Sequence, residues 1–169
     1  MPDLLVSLIH LKPLEPMLAP LRARGVTLRR PNAWEQQVLR TFILNHFQPG
    51  WADEVSVAFS HQPVTAFVAL HEGRITGFAG YECSRRNFFG PTGVAPQWRG
   101  SGVGRALFHA SLHGLRQLGY VYAVVGGAGP VGFYEREAGA IVIPFDERRG
   151  IYGLMEEPDF SDLTSGPAE

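Results

Sequence analysis

The sequence predicts an α/β domain whose mixed sheet is an antiparallel meander feeding one parallel crossover. Two stretches carry that prediction. Residues 64–71 and 74–83 are rich in β-branched and aromatic side chains and flank Glu72-Gly73, the composition of a β-hairpin. Further on, residues 94–107 read as the end of a strand, a glycine-rich turn and the first turn of a helix, and residues 120–125 follow as a short apolar strand. Strand, helix and strand joined by short links make a right-handed parallel crossover.

Taken in order, residues 1–25 hold Pro2, Pro13, Pro16 and Pro20 among leucines, which reads as an arm packed on the domain. Val26, Leu28 and Arg30 alternate with Thr27 and Arg29 as a first strand. Asn32 with Glu35 three residues on is a helix-start signature, and Trp34, Val38 and Phe42 with Leu39 and Ile43 continue one helical face to about Asn45. Pro49-Gly50 breaks the chain. Residues 51–60 then read as a second helix, with Asp53 and Glu54 in its first turn, where the helix dipole favours acids.

Residues 84–87 form a polar turn, and 87–94 are the strand entering the glycine loop. In the helix after it, Val103, Leu107, Ala110, Gly114, Leu115 and Leu118 share one face, Arg105, His109, His113 and Arg116 another, and Gly119 supplies the stop. A Gly-rich loop from Gly126 to Gly132 leads to a short helix ending near Gly139. Residues 141–145 and 151–156 read as a closing hairpin around 146–150, before a polar tail. The expected division is an arm (1–25), a domain (26–157) and a frayed tail (158–169).

Composition narrows the function. The 169 residues are 45% hydrophobic and 18% charged with a net charge of −1, and contain no long basic or acidic run. Neither nucleic acid nor a charged membrane surface is implied, and small molecules are the expected partners. The single Cys83 forbids an internal disulfide and favours a reducing compartment. The apolar start at 4–11 carries Asp3 in place of a basic flank and is too short to span a bilayer, so cytoplasm is the expected location. Oligomeric state stays open, a homodimer included.

The glycine loop carries the chemistry. Gly100, Gly102 and Gly104, with Arg99 and Arg105 around them, leave backbone N–H groups uncovered where a helix begins, which makes an anion site suited to a diphosphate. No Gly-Lys-Ser/Thr follows, which excludes a Walker loop. Gly127-x-Gly129-x-x-Gly132, with Asp146 downstream, fits the dinucleotide fingerprint. Only 37 residues follow Gly132, however, too few for the rest of a doubly wound domain. A tight turn explains those glycines better.

In its order of residues the loop resembles the acetyl-CoA loop of the GNAT superfamily of N-acetyltransferases. Arg99, Gly102 and Gly104 meet the family pattern, Val94 and Pro96 stand where it has valine and proline, and Phe133-Tyr134 followed by Gly139 matches a second family feature. The resemblance covers roughly residues 64–143. It implies a GNAT-like fold with splayed central strands and acetyl-CoA (coenzyme A) as cofactor. The pantetheine arm would pair with Thr92, Gly93 and Val94, and the diphosphate would rest on the amides of Gly100, Ser101, Gly102, Val103, Gly104 and Arg105, with Arg99 and Phe133 beside it. The Val94 amide would hold the developing oxyanion.

The implied reaction is N-acetyl transfer to a primary amine of a small molecule, with Tyr134 as the acid; the alternative is that Phe133-Tyr134 only packs the helix on the sheet. The strand before the loop reads Phe88-Phe89-Gly90-Pro91 and lacks the carboxylate that several family members carry there. If Cys83 pairs with Phe88, Glu82 lies beside Phe89 and becomes the candidate base; otherwise water relays or an already neutral amine serve. Trp51, Asp53 and Glu54 fall where the family builds its acceptor wall, against plain packing and capping. His109 and His113 have zinc-helix spacing without the metalloprotease glutamate and read as surface histidines, so no metal is expected. Cys83 reads as a strand residue. The rival from another class is a non-catalytic acyl-CoA-binding sensor.

Overall fold

The computed structural model describes residues 1–144. Its strands are β1 (Leu4–Ser7), β2 (Val26–Arg29), β3 (Ala66–His71), β4 (Arg74–Tyr81), β5 (Phe88–Val94), β6 (Tyr122–Val125) and β7 (Ile141–Val142). The helices are α1 (Glu15–Ala23), α2 (Gln36–His46), α3 (Pro49–Val57), α4 (Val103–Gln117) and α5 (Val131–Ala138). Among the described residues the strands form one sheet in the order β2-β3-β4-β5-β6-β1-β7, in which only β5 and β6 run parallel. The meander and the crossover stand as the sequence predicts.

Helices cover both faces. On one, α1, α4 and α5 bury Leu21, Leu107, Phe108 and Leu115 with Tyr81, Phe89 and Ala123 of the sheet. On the other, Leu39, Ile43, Ala52 and Val55 of α2 and α3 pack on Val68 and Phe78. Within α4, Gly114 lies against Tyr81, where an added Cβ would sit 2.5 Å from the phenol oxygen. Tyr81 is fully buried and its hydroxyl accepts from Arg30 Nη1 at 2.6 Å, so the ring has nowhere to retreat. Overpacking of about 1–3 kcal/mol therefore outweighs the ~1 kcal/mol that alanine gains over glycine inside a helix. Gly114→Ala lowers the melting temperature by up to roughly 8 °C in a calorimetric scan, given about 2–4 °C per kcal/mol for a chain of this size.

The structure revises several sequence readings. Within the expected arm, Leu4–Ser7 is a strand inside the sheet, paired with β6 on one side and β7 on the other. Its alternating burial, with Leu4 and Val6 inside, is too short a signal to compete with the surrounding prolines. Trp34 and Val38 are exposed, and the buried face of α2 centres on Leu39 and Ile43. Pro49 and Gly50 open α3 instead of breaking the chain, because proline suits the first helical position. Asp53 and Glu54 thereby move beyond the first turn. Leu118 is half exposed, whereas His109, assigned to the polar face of α4, is buried. β7 pairs with β1; the expected strand at 151–156, the turn at 146–150, Asp146 and the tail from 158 lie outside the described residues. No described helix is long and apolar enough to cross a membrane.

Candidate active site

The parallel pair is the structural key. β5 and β6 are in register only at Phe88↔Val124 and Phe89↔Val125, where β6 ends, so beyond Phe89 no strand pairs with β5 on that side. The rest of β5 runs on with β4 on one side and an opening on the other. Ala95 N donates to Thr76 O at 2.9 Å, and β-strand alternation then turns the Val94 amide toward the opening.

A cleft of about 560 Å³ occupies this opening, within the range usual for small-molecule sites. Thr92, Gly93 and Val94 of β5, Arg99, Gly100, Gly102, Gly104 and Arg105 of the loop and α4, and Phe133 and Tyr134 of α5 line it, joined by Phe89, Trp98, Phe108 and Pro130. Gly102 caps α4 at φ 94°, a left-handed conformation that only glycine adopts cheaply. The helical ladder begins with Ala106 N donating to Gly102 O, so the amides of Gly104 and Arg105 precede it. These open amides, at the positive end of a 15-residue helix, sit on residues that line the cleft.

Ser101 and Val103, predicted beside them, do not line the cleft. Ser101 Oγ donates back to Trp98 O at 2.5 Å, and the Val103 side chain is buried in the core. Phe108 is absent from the expected set, although it lies one helical turn after Gly104 on the same face, a spacing that marks it. Its ring packs edge-on against Tyr134, 5.1 Å between centroids, and against Phe89 at 4.9 Å.

Tyr134 is buried except toward the cleft, and its hydroxyl has no hydrogen-bond partner among the described residues. Burial pushes its pKa up to about 12, so the phenol keeps its proton at any physiological pH. It is a neutral donor without a partner among the described residues.

Glu82 stands elsewhere. The β4–β5 register slips between Ala79 and Tyr81, so Tyr81 pairs with Phe89, and the link to Phe88 is made by Glu82 N, not by Cys83. Glu82 itself takes φ 59° in the turn, accepts from Asn87 N and from Tyr120 Oη (3.1 Å), and does not line the cleft. The premise that set it beside Phe89 as a base therefore fails. Burial, and after it the nearby Glu54 carboxylate, push the Cys83 thiol up to about 12, which leaves it inert.

The predicted acceptor wall lies on the opposite face of the sheet from Tyr134. Phe47, at the end of α2, covers Gly93 so closely that a Cβ there would meet its ring at 2.5 Å. Trp51 stacks on Phe47 with centroids 5.5 Å apart. Asp53 points outward and accepts from Arg40 Nη1 at 2.8 Å. Glu54 is half-buried, has no hydrogen bond or ion pair among the described residues, and burial raises its pKa. Val55, next on the helix, approaches Gly80 together with Gly90 O, which brings this turn of α3 to the part of β5 that leaves β6.

The rival loop is already engaged. Gly127 N donates to Asp3 Oδ1 at 2.8 Å and Ala128 N to Pro2 O at 2.8 Å, so these amides hold the N-terminal strand and offer no phosphate cradle. His109 and His113 turn to different partners, Glu137 and Lys12 O, and no cluster among the described residues has the makings of a metal site.

Residues 62–137 match the family model of the acetyltransferase (GNAT) domain. No curated protein matches the chain. Among solved structures, the glucosamine N-acetyltransferase region of a fungal multi-domain β-N-acetylglucosaminidase superposes with a TM-score of 0.68 at 19% identity, covering 84% of this chain and 19% of that one. A GCN5-related N-acetyltransferase from Sphaerobacter thermophilus gives 0.63 at 18% identity, covering 84% and 48%. A GNAT family acetyltransferase from Brucella melitensis, solved with acetyl-CoA, gives 0.52 at 20% identity, covering 72% and 88%. The chain thus spans about a fifth and a half of the first two proteins. The fold is the GNAT fold, and the stretch from just before β3 into α5 is the part that the family model matches.

Proposed function

We propose that the cleft binds acetyl-CoA and that the protein transfers the acetyl group to a primary amine of a small molecule. The observation that carries this reading is the conjunction in one cleft of open amides at the start of α4, the gap beside β5 and a Tyr134 hydroxyl that has no partner among the described residues. The residues suit the cosubstrate chemically: amides of Gly102, Gly104 and Arg105 for a diphosphate, β5 edge groups for an amide-bearing arm, and the aromatic rings of Phe89, Phe108 and Phe133 for an apolar one. The matches to GNAT structures support the same assignment.

In this reading the amine nitrogen attacks the thioester carbonyl carbon directly. The Val94 amide holds the oxygen as it becomes negative, and the carbon–sulfur bond breaks as the tetrahedral intermediate collapses. Tyr134 gives its proton to the departing sulfur and recovers one from solvent, while the amine's surplus proton leaves through water. No carboxylate on β5 takes that proton, so the amine that reacts is the neutral fraction.

The acceptor approaches over the α2–α3 face, past Phe47 and Trp51, and Glu54, without a partner among the described residues, is the carboxylate of this wall that attracts a cation, since Asp53 is occupied by Arg40. Glu54→Gln raises the acceptor's KM roughly tenfold at neutral pH while kcat and CoA affinity hold. Because burial raises the Glu54 pKa, acceptor binding in the wild type weakens on acidification at a higher pH than an ordinary carboxylate would dictate. An acceptor KM that is flat with pH and unmoved by the substitution removes Glu54 from the site.

Thermal shift with acetyl-CoA and CoA, followed by thiol release across a panel of primary amines, tests the function. Stabilisation by both and turnover with at least one amine are expected. Because β5 carries no carboxylate and Glu82 lies outside the cleft, a second reading keeps a specific basis: binding without turnover for any amine identifies an acyl-CoA sensor. No stabilisation by either compound refutes both.

A further inference from the structure

Glu137 of α5 does not line the cleft but engages Arg105, which does. Arg105 Nε donates to its Oε2 at 2.7 Å, His109 Nε2 lies 3.2 Å from the same oxygen, and Lys12 Nζ is 3.7 Å away. Arg105 and His109 are four residues apart on α4, so successive turns of one helix converge on a single carboxylate oxygen.

The arrangement is built in, because His109 is only 1% exposed and its Nδ1 has no partner among the described residues. Burial lowers its pKa, so the ring is neutral; with Nδ1 bare, its one N–H belongs on Nε2 and donates to Glu137. Burial of Glu137 opposes its charge, yet the hydrogen bonds from His109 and Arg105 outweigh that and hold its pKa below the ordinary value. A fixed anion therefore engages Arg105, which also lines the cleft beside the open amides.

An arginine at that position is the natural partner of a diphosphate, and here it has two claimants. We propose that Glu137 limits how tightly the cleft holds CoA, by keeping Arg105 on its own carboxylate. The inference rests on the reading of the cleft as an acyl-CoA site. A merely structural clamp between α4 and α5 predicts the opposite sign, since loosening it would spoil the cleft and weaken binding.

Calorimetric titration with CoA at low ionic strength separates the two. Glu137→Gln, which keeps the side chain's shape, tightens CoA binding about tenfold, and in an Arg105→Ala background the same substitution changes Kd by less than about twofold. Glu137→Ala serves as a second variant should the glutamine form fold poorly, with the same direction expected. Unchanged or weaker binding in a folded Glu137 variant overturns the inference, as does an equal change with and without Arg105. A wild-type protein that does not bind CoA at all removes the cleft reading and this inference together. That result is distinct from a bound cofactor indifferent to Glu137, which removes the inference alone.

Discussion

Tyr134→Phe lowers the maximal rate about a hundredfold while CoA affinity stays within about twofold, the expectation for loss of a positioned general acid. The substitution removes one oxygen and leaves the ring, so the contacts with Phe89, Phe108 and Phe133 survive and the wall of the cleft keeps its shape. Nothing else among the described residues depends on the hydroxyl, which makes the rate a clean report on it. The pH profile adds a second check. An acid works only while protonated, and burial pushes this phenol up to about 12, so its loss of proton causes no alkaline fall in kcat below roughly pH 11. A falling limb near pH 8 or 9, or a full rate in the phenylalanine variant, takes Tyr134 out of the reaction.

Gly102→Val weakens CoA binding about five- to thirtyfold, as measured by calorimetry, with the protein still folded. At φ 94° a branched side chain carries left-handed strain of about 1–2 kcal/mol. That strain is relieved by rotating the very amides that begin α4. Since 1.4 kcal/mol is about a factor of ten in affinity, even partial relief at the expense of the cradle is readily detected. The strain argument applies to the loop alone: Gly102 has nothing closer than a Leu21 methyl at 4.0 Å, so steric damage to the core does not confuse the result. Unaltered affinity means the anion is bound by side chains and not by the helix terminus.

The parts of this site that were legible in the sequence are those encoded by local chemistry. Gly100, Gly102 and Gly104 announce bare amides, a helical pattern after them supplies the dipole, and Phe133-Tyr134 lies at the start of a short helix that can only pack back on the sheet. The hairpin at Glu72-Gly73 was legible for the same reason, since both residues take positive φ there. Features set by partners distant in sequence were not. β1 enters the sheet through pairing with β6 more than a hundred residues away, which its own four residues hardly announce. His109 reads as polar surface, yet it is buried and its partner Glu137 lies on another helix. Glu82 was misplaced because a register slip near Gly90 shifts every pairing after it, and a one-residue shift changes which side chain faces the cleft. Phe47 covers Gly93 only because α2 ends above β5, a fact of packing and not of pattern.

The most direct test of the account is a crystal structure of the protein with acetyl-CoA. The account predicts the diphosphate within hydrogen-bonding distance of the Gly102 and Gly104 amides, the pantetheine arm in the gap between β5 and β6, and the thioester sulfur beside the Tyr134 hydroxyl. Acetyl-CoA bound away from the start of α4, or β5 and β6 drawn together with the ligand outside them, contradicts it.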